Sequence, residues 1–127
     1  MSYYFSKEVN GNFEEVVNKV KEELKKEGFG VLADLDVKKT LKEKLGVEFR
    51  NYRILGACNP TFSYQAFEAE DKIGTMLPCN VIVQEKSDIV EVTAVDPVAS
   101  MTAIKNPKVK EIAQKIQEKL RKVIGNV

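Results

Sequence analysis

The sequence predicts a two-layer α+β domain, with helices packed on one face of a mainly antiparallel sheet. Segments of alternating apolar residues and segments of helical apolar spacing follow one another with short connections. Residues 79–86 and 89–95 alternate on either side of Ser87-Asp88, which is typical of an antiparallel hairpin with one face more buried than the other. The 127 residues contain no linker or repeat, so one domain is expected over residues 1–127.

The first two strands are expected at residues 2–9 and 29–36, where apolar residues alternate. Lys7 interrupts the alternation in the first of them. The residues expected to share one face are Tyr3, Phe5 and Val9 in the first strand, and Val31, Ala33 and Leu35 in the second. Side chains two positions apart point the same way in a strand, which is the basis of this expectation.

The first two helices have recognisable starts and ends. Asn12 can cap the first and Gly28 can end it, while Asp36 and Gly46 do the same for the second. The apolar stripes are Phe13, Val16, Val17, Val20 and Leu24 in the first helix, and Val37, Leu41 and Leu45 in the second. This spacing predicts that the first helix turns one face toward the core, and that the three apolar residues of the second helix stack along one side of it.

A third strand is expected at residues 51–57, running into Cys58 and a third helix over roughly 60–70. Asn59 suits the cap of that helix and Pro60 its first position. The side chains expected to face the interior are Phe62, Ala66 and Phe67.

After the hairpin, Asp96-Pro97 stops the last strand, and Asn106 and Pro107 begin the last helix. Its stripe is Val109, Ile112, Ala113, Ile116, Leu120, Val123 and Ile124. When helices pack on one face of the sheet, the other face is either exposed to solvent or covered by another protein surface. A homodimer is one way to cover it.

The composition indicates which classes of binding partner and which cellular compartment are expected. The net charge is +1, with 17 lysines against three arginines, so neither nucleic acid nor a membrane surface is an expected partner. The N-terminus lacks the pattern of a signal peptide and no segment is apolar enough to cross a membrane, which predicts a cytoplasmic protein. The abundance of Lys and Glu is also typical of thermophilic proteins.

The two cysteines lie in mirrored motifs, Cys58-Asn59-Pro60 and Pro78-Cys79-Asn80. The chain has no histidine, so thiols are its strongest nucleophiles and metal ligands. Two cysteines without histidine supply half of a structural zinc site, and no metal site is predicted. In a reducing cytosol both are expected to be free thiols.

The two thiols are expected to differ in their surroundings. Cys58 would lie one residue before the cap of the third helix, where free N–H groups favour a thiolate over a thiol. It could equally be a small buried residue at a strand end. Cys79 alternates with Val81 and Val83, which favours packing in the core. Adjacent strand ends could also bring the two Cα atoms within the ~7 Å that a disulfide requires.

The asparagines of the motifs allow two interpretations. Asn59 and Asn80 could orient a ligand in a pocket between the two motifs. Alternatively, Asn59 caps the third helix and the amide of Asn80 bonds within a turn.

Two segments together resemble the domain of unknown function 302 family. They are Ile54-Leu55-Gly56-Ala57-Cys58-Asn59-Pro60 and, after Ile73-Gly74, Leu77-Pro78-Cys79-Asn80-Val81. The resemblance implies an α+β fold similar to the curved antiparallel sheets of the TATA-binding-protein-like group, often as a homodimer. It implies no established activity and leaves any cofactor unknown, and it makes Cys58, Asn59, Pro60, Pro78, Cys79 and Asn80 family motif residues.

Three hypotheses about function follow. The first is a small, dimeric module that binds a small molecule or a redox partner near Cys58 and Cys79. The second is a thiol-dependent enzyme with Cys58 as its nucleophile, although no histidine is present to act as the base. The third is a structural or interaction domain in which the motifs serve folding and dimerisation.

Overall fold

A computed structural model describes residues 2–127, which form an open five-stranded antiparallel sheet with helices packed against it. The strands are β1 (Tyr4–Val9), β2 (Gly30–Asp36), β3 (Tyr52–Cys58), β4 (Cys79–Lys86) and β5 (Ile89–Val95). The helices are α1 (Phe13–Lys26), α2 (Val37–Leu45), α3 (Pro60–Ala69), α4 (Pro97–Ser100) and α5 (Pro107–Asn126), with a 3₁₀ helix at Ile73–Met76. The predicted α+β class and antiparallel sheet are therefore confirmed.

The sheet has the strand order β1-β5-β4-β3-β2, and every neighbouring pair is antiparallel. Strands β2 to β5 follow one another as a meander, and β1 joins the sheet beside β5. The β4–β5 hairpin turns at Ser87-Asp88 as predicted: Lys86 pairs with Ile89, and Ser87 adopts a φ of 54° in the turn.

The core lies between one face of the sheet and helices α1 and α5. All the apolar residues predicted for the stripes of these two helices are buried. From the sheet, the fully buried side chains are Leu55, Ala57, Val81, Val83, Val90, Val92 and Ala94. Burying each leucine or valine stabilises the fold by about 1.5–3 kcal/mol, so this layer is the main source of stability.

Polar caps determine where α1 and α2 begin. The Asn12 side chain accepts a hydrogen bond from the Glu15 backbone N–H at 3.2 Å, and Asp36 does the same for Lys39 at 3.0 Å. Gly46 ends α2 with a φ of 66°, a left-handed conformation that glycine adopts without strain. The predicted caps of these two helices are confirmed.

Lys7 interrupts the alternation of β1 because its side chain has a structural role. It lies on the same side of β1 as Phe5 and Val9. Its Nζ donates hydrogen bonds of 2.9 Å to the carbonyls of Gly125 and Val127 at the end of α5. The lysine therefore satisfies carbonyls that have no partner within the helix.

The prediction that Val31, Ala33 and Leu35 share one face of β2 is wrong. The register shifts between Val31 and Ala33: Val31 pairs with Ala57, but Ala33 pairs with Gly56. A β-bulge inserts one residue into a strand, so the side chains beyond it change sides. Leu35 consequently lies on the face away from the core and is 56% exposed.

The same bulge turns Asp34 toward the helical layer, where it meets Arg53. The carboxylate accepts two hydrogen bonds from the guanidinium, at 2.7 and 2.6 Å, and one from Lys21 of α1 at 2.8 Å. Arg53 also donates to Glu14 of α1. The Arg53 hydrogen bonds, followed by that of Lys21, lower the pKa of Asp34 to about 2. This network joins α1 to β2 and β3.

Phe67 was predicted to face the interior, and this is wrong because its side chain is 49% exposed. The buried residues of α3 are instead the small Ser63 and Ala66. Phe67 packs near Gly74 of the 3₁₀ helix: a Cβ built on that glycine would lie 3.5 Å from the ring. Within residues 2–127, no helix is long and apolar enough to cross a membrane.

Candidate functional site

The first cysteine motif forms the junction between β3 and α3. Cys58 ends the strand, Asn59 is the N-cap of the helix and Pro60 is its first residue. The Sγ atom of Cys58 shares a hydrogen bond of 2.9 Å with the Oγ atom of Ser63 in the first turns of α3. Cys58 is half-buried, whereas Ser63 is buried. Cys58 is therefore partly exposed as a residue, and its thiol is held by a hydroxyl.

Asn59 occupies the predicted cap position, but its side chain does not cap α3, so the predicted capping bond is wrong. Its Nδ2 donates instead to the carbonyl of Glu27, at 3.1 Å, just beyond the end of α1. The last carbonyls of a helix lack partners within it, and a buried amide can supply one. Asn59 is only 7% exposed, and its amide joins the start of α3 to the end of α1.

Cys79 begins β4 and lies directly opposite Ala57 of β3. It is 4% exposed and belongs to the hydrophobic core, in agreement with the core interpretation from the sequence. Burial, and to a smaller extent the neighbouring Cys58, raises the pKa of the Cys79 thiol to about 11. A thiol of that kind stays protonated near neutral pH.

Pro78 packs against Gly56 of β3. The Leu77–Pro78 peptide bond is cis. A Cβ built on Gly56 would lie 2.9 Å from Cγ of Pro78 and 3.4 Å from Cβ of Ala33. The glycine of the motif thus leaves room for the proline ring. Asn80 pairs with this same Gly56 and its side chain is exposed.

The two motifs lie at the same end of the neighbouring strands β3 and β4, and Cys58 is near enough to affect the ionisation of Cys79. Both cysteines are free thiols. Ala57, not Cys58, lies opposite Cys79, and successive residues of a strand point to opposite faces. This register explains why the two thiols are not joined. Pro60 is exposed at the start of α3.

Within residues 2–127, no group of three or more cysteine, aspartate or glutamate side chains is arranged to hold a metal ion. The side chain of Cys58 bonds only to Ser63 among these residues. No acid or base in the described part of the chain therefore lies within hydrogen-bonding reach of this thiol.

Two features of the molecule were missed by the sequence reasoning. Ser63 follows Cys58 by five residues, a spacing that crosses the start of a helix and carries no recognised signal. The second is a cavity of about 590 Å³ between α4 and the start of α5, lined by Val98, Met101, Ile104, Pro107, Lys105 and Lys110. It involves no residue of the two motifs.

Comparison with known proteins agrees with this architecture. The sequence profile described as "Domain of unknown function DUF302" matches residues 5–127. A solved structure, the crystal structure of an uncharacterized conserved DUF302 protein from Bacillus stearothermophilus, superposes with a TM-score of 0.93 at 28% sequence identity. The alignment covers 99% of this chain and 98% of that one. No curated protein matches the sequence.

Proposed function

The chain belongs to the DUF302 family, and for this member we propose the function of a thiol-based redox sensor in which Cys58 reacts. The observation that carries the proposal is the difference between the two thiols. Cys58 is half-buried and bonded to a hydroxyl, whereas Cys79 is buried in the core and its pKa is raised to about 11. One thiol is accessible and the other is protected.

The proposed step is the reaction of the Cys58 thiolate with a hydroperoxide. The sulfur attacks the terminal peroxide oxygen, the O–O bond breaks, and the product is a sulfenic acid. The sulfur loses two electrons to the peroxide, whose other oxygen leaves as hydroxide or alkoxide and takes up a proton from solvent. The hydroxyl of Ser63, at 2.9 Å, can donate to the thiolate before the reaction.

A sensor accounts for the site better than the alternative of a thiol-dependent enzyme. The chain has no histidine, and Ser63 is the only side chain bonded to Cys58 among residues 2–127. Nucleophilic catalysis needs a group that moves protons in each turnover. A stoichiometric oxidation needs only an accessible thiolate.

The experiment is a titration with hydrogen peroxide in the presence of dimedone, which traps sulfenic acids, followed by peptide mass spectrometry. We expect the adduct on Cys58 and not on Cys79. The variant Ser63→Ala should slow the reaction about fivefold, as expected for the loss of one hydrogen bond worth about 1 kcal/mol. Ser100→Ala is the matched control, because the Ser100 hydroxyl bonds only to the carbonyl of Pro97.

Two results would reject the sensor. One is equal labelling of the two cysteines in the folded protein. The other is a Cys58 oxidation rate no greater than that of the same peptide in isolation. The purely structural hypothesis would be favoured by two results together. The parent protein would show no reactivity toward peroxide, and Cys58→Ala would melt at a lower temperature than the parent.

The homodimer remains part of the proposal. Exposed large apolar side chains are concentrated around β2 and the end of α2: Leu32, Leu35, Leu45 and Val47 are each more than 40% exposed. Such concentrations mark interaction surfaces, and a second copy of this chain is the occupant proposed.

Sedimentation velocity tests the dimer. The unmodified chain should sediment as a dimer and Leu35→Asp as a monomer. Tyr64→Asp is the control, since Tyr64 is also an exposed large apolar residue but belongs to α3. A monomeric parent protein at high concentration would reject the dimer without affecting the redox proposal.

A further inference from the structure

The cavity between α4 and the start of α5 has the size and composition of a small-molecule site. Its volume of about 590 Å³ lies within the range of ~300–1,000 Å³ that is usual for ligand pockets. Met101 is buried, and Val98 and Ile104 are half-buried, so much of its wall is apolar. An apolar molecule of several carbon atoms would displace water from this wall.

The polar side chains that line the cavity are of two kinds: two that are already hydrogen-bonded within the protein, and two lysines. The Thr102 hydroxyl donates to the carbonyl of Ala99 at 2.5 Å and lies 3.2 Å from that of Val98. The Asn106 amide donates to the carbonyl of Ala69 at 2.8 Å, and its oxygen accepts from the backbone of Lys108 at 3.0 Å. The protein itself already uses these groups, so they offer little to a ligand.

The two lysines of the cavity differ from these groups. Neither Lys105 nor Lys110 forms an ion pair with an acidic side chain in residues 2–127, although many other lysines of the chain do. The polar groups left to a ligand are thus two ammonium ions beside an apolar wall. That combination suits a molecule with an anionic head and an apolar body.

We propose that this cavity binds a small amphipathic anion, such as an alkyl carboxylate or alkyl phosphate. The apolar body would contact Val98, Met101 and Ile104, and the anionic head would bond to Lys105 and Lys110. The site shares no residue with the cysteine motifs, so it is independent of the redox function proposed above.

The experiment follows amide chemical shifts in ¹H–¹⁵N spectra of the full chain during titration with octanoate and, separately, with octyl phosphate. We expect saturable shifts concentrated at residues 98–110. Acetate, which lacks the body, and octyltrimethylammonium, which has the opposite charge, should bind at least about tenfold more weakly.

Substitution of the two lysines tests whether they bind the anionic head of the ligand. The double variant Lys105→Gln/Lys110→Gln should bind octanoate about tenfold more weakly, because an exposed ion pair contributes up to about fivefold in affinity. Lys108→Gln is the control: a charge is lost from the helix that carries Lys110, but Lys108 does not line the cavity. Its affinity should change less than twofold.

Several outcomes would overturn the proposal. Shifts spread over the whole surface, or an equal loss of affinity in Lys108→Gln, would mean nonspecific attraction to a basic region. If acetate binds as tightly as octanoate, the apolar wall contributes nothing to binding, and the proposed amphipathic ligand is wrong. A lipid surface is tested with vesicles of phosphatidylglycerol: co-sedimentation with them, without saturable octanoate binding, would show membrane association in place of a small-molecule site.

Discussion

Cys79 should ionise only near pH 11, well above the ordinary value of 9.0 for a cysteine thiol. The largest cause is burial, because a thiolate loses its hydration in an apolar core. The nearby Cys58 contributes less. The variant Cys58→Ser isolates Cys79 as the single thiol and keeps the burial that dominates its pKa.

The expected effect on reactivity can be worked out from these two pKa values. At pH 8 a thiol of ordinary pKa is about one-tenth thiolate, whereas Cys79 is about one-thousandth thiolate, a difference of roughly a hundredfold. A thiolate of higher pKa is intrinsically more nucleophilic, which recovers up to about tenfold. Alkylation of Cys79 should therefore be at least about tenfold slower than that of an unfolded peptide.

The assay is the rate of alkylation by iodoacetamide between pH 7 and pH 12, measured by mass spectrometry on Cys58→Ser. Circular dichroism at each pH checks that the chain stays folded. We expect a rate profile with its midpoint near pH 11. A midpoint near pH 9 in the folded protein would refute the inference that burial controls this thiol.

The same pKa makes a prediction about stability. Because the folded-state pKa is raised, the contribution of Cys79 is fully present below pH 9 and is lost as the pH rises through 11. Two pKa units correspond to about 2–3 kcal/mol. Urea unfolding measures the free energy of unfolding at each pH. Between pH 9 and pH 11, that of the unmodified chain should fall by about 2–3 kcal/mol more than that of Cys79→Ala.

Three further predictions concern the junctions of the fold, each measured by urea unfolding. Gly56→Ala should destabilise by about 1–3 kcal/mol, because the added Cβ would lie 2.9 Å from the ring of Pro78; Gly125→Ala, where a Cβ meets nothing within 4 Å, should not destabilise. Asn59→Ala should cost about 1–3 kcal/mol by leaving the carbonyl beyond α1 without its partner, and an unchanged midpoint would contradict this role. Asp34 has a pKa lowered from 3.8 to about 2, so its contribution, up to about 2 kcal/mol, is present above pH 3.8 and lost as the pH falls toward 2. Asp34→Asn should remove that acid-sensitive loss, and equal acid sensitivity in the two proteins would exclude the ion pair as its source.

Local signals predicted most of the fold correctly because they act over a few residues. The caps Asn12 and Asp36, the stop at Gly46 and the hairpin at Ser87-Asp88 each depend on neighbours within four positions. The stripes of α1 and α5 also matched, because periodic burial on one helix face is visible without knowledge of the partner.

The errors arose where distant residues decide the structure. The bulge in β2 depends on its register with β3, which simple alternation does not contain. The strand that contains Lys7 was predicted correctly, but the partner of this lysine, the end of α5, lies more than a hundred residues further along the chain. Asn59 occupies the N-cap of α3 without a side-chain capping bond, and its amide instead donates to a carbonyl after α1.

For the candidate site, the sequence located the cysteines and favoured a packed Cys79. It did not predict Ser63 or the cavity beside α5, because both depend on how helices meet in space. The Cys58–Ser63 bond crosses from a strand end into a helix, and the cavity lies between two helices whose separation the sequence pattern does not specify.

The strand order has a consequence for how this chain acquires its shape. Strands β2 to β5 each pair with the next strand along the chain, so each of these pairings closes a shorter stretch of chain than the pairing of β1 with β5. Among the described strands β1 is synthesised first, but it pairs with β5, the last of them, and Lys7 bonds to the end of α5. During synthesis, therefore, β1 waits for its partner until all the other strands of the sheet have emerged. Its docking completes the native sheet and joins the first strand of the fold to the last helix.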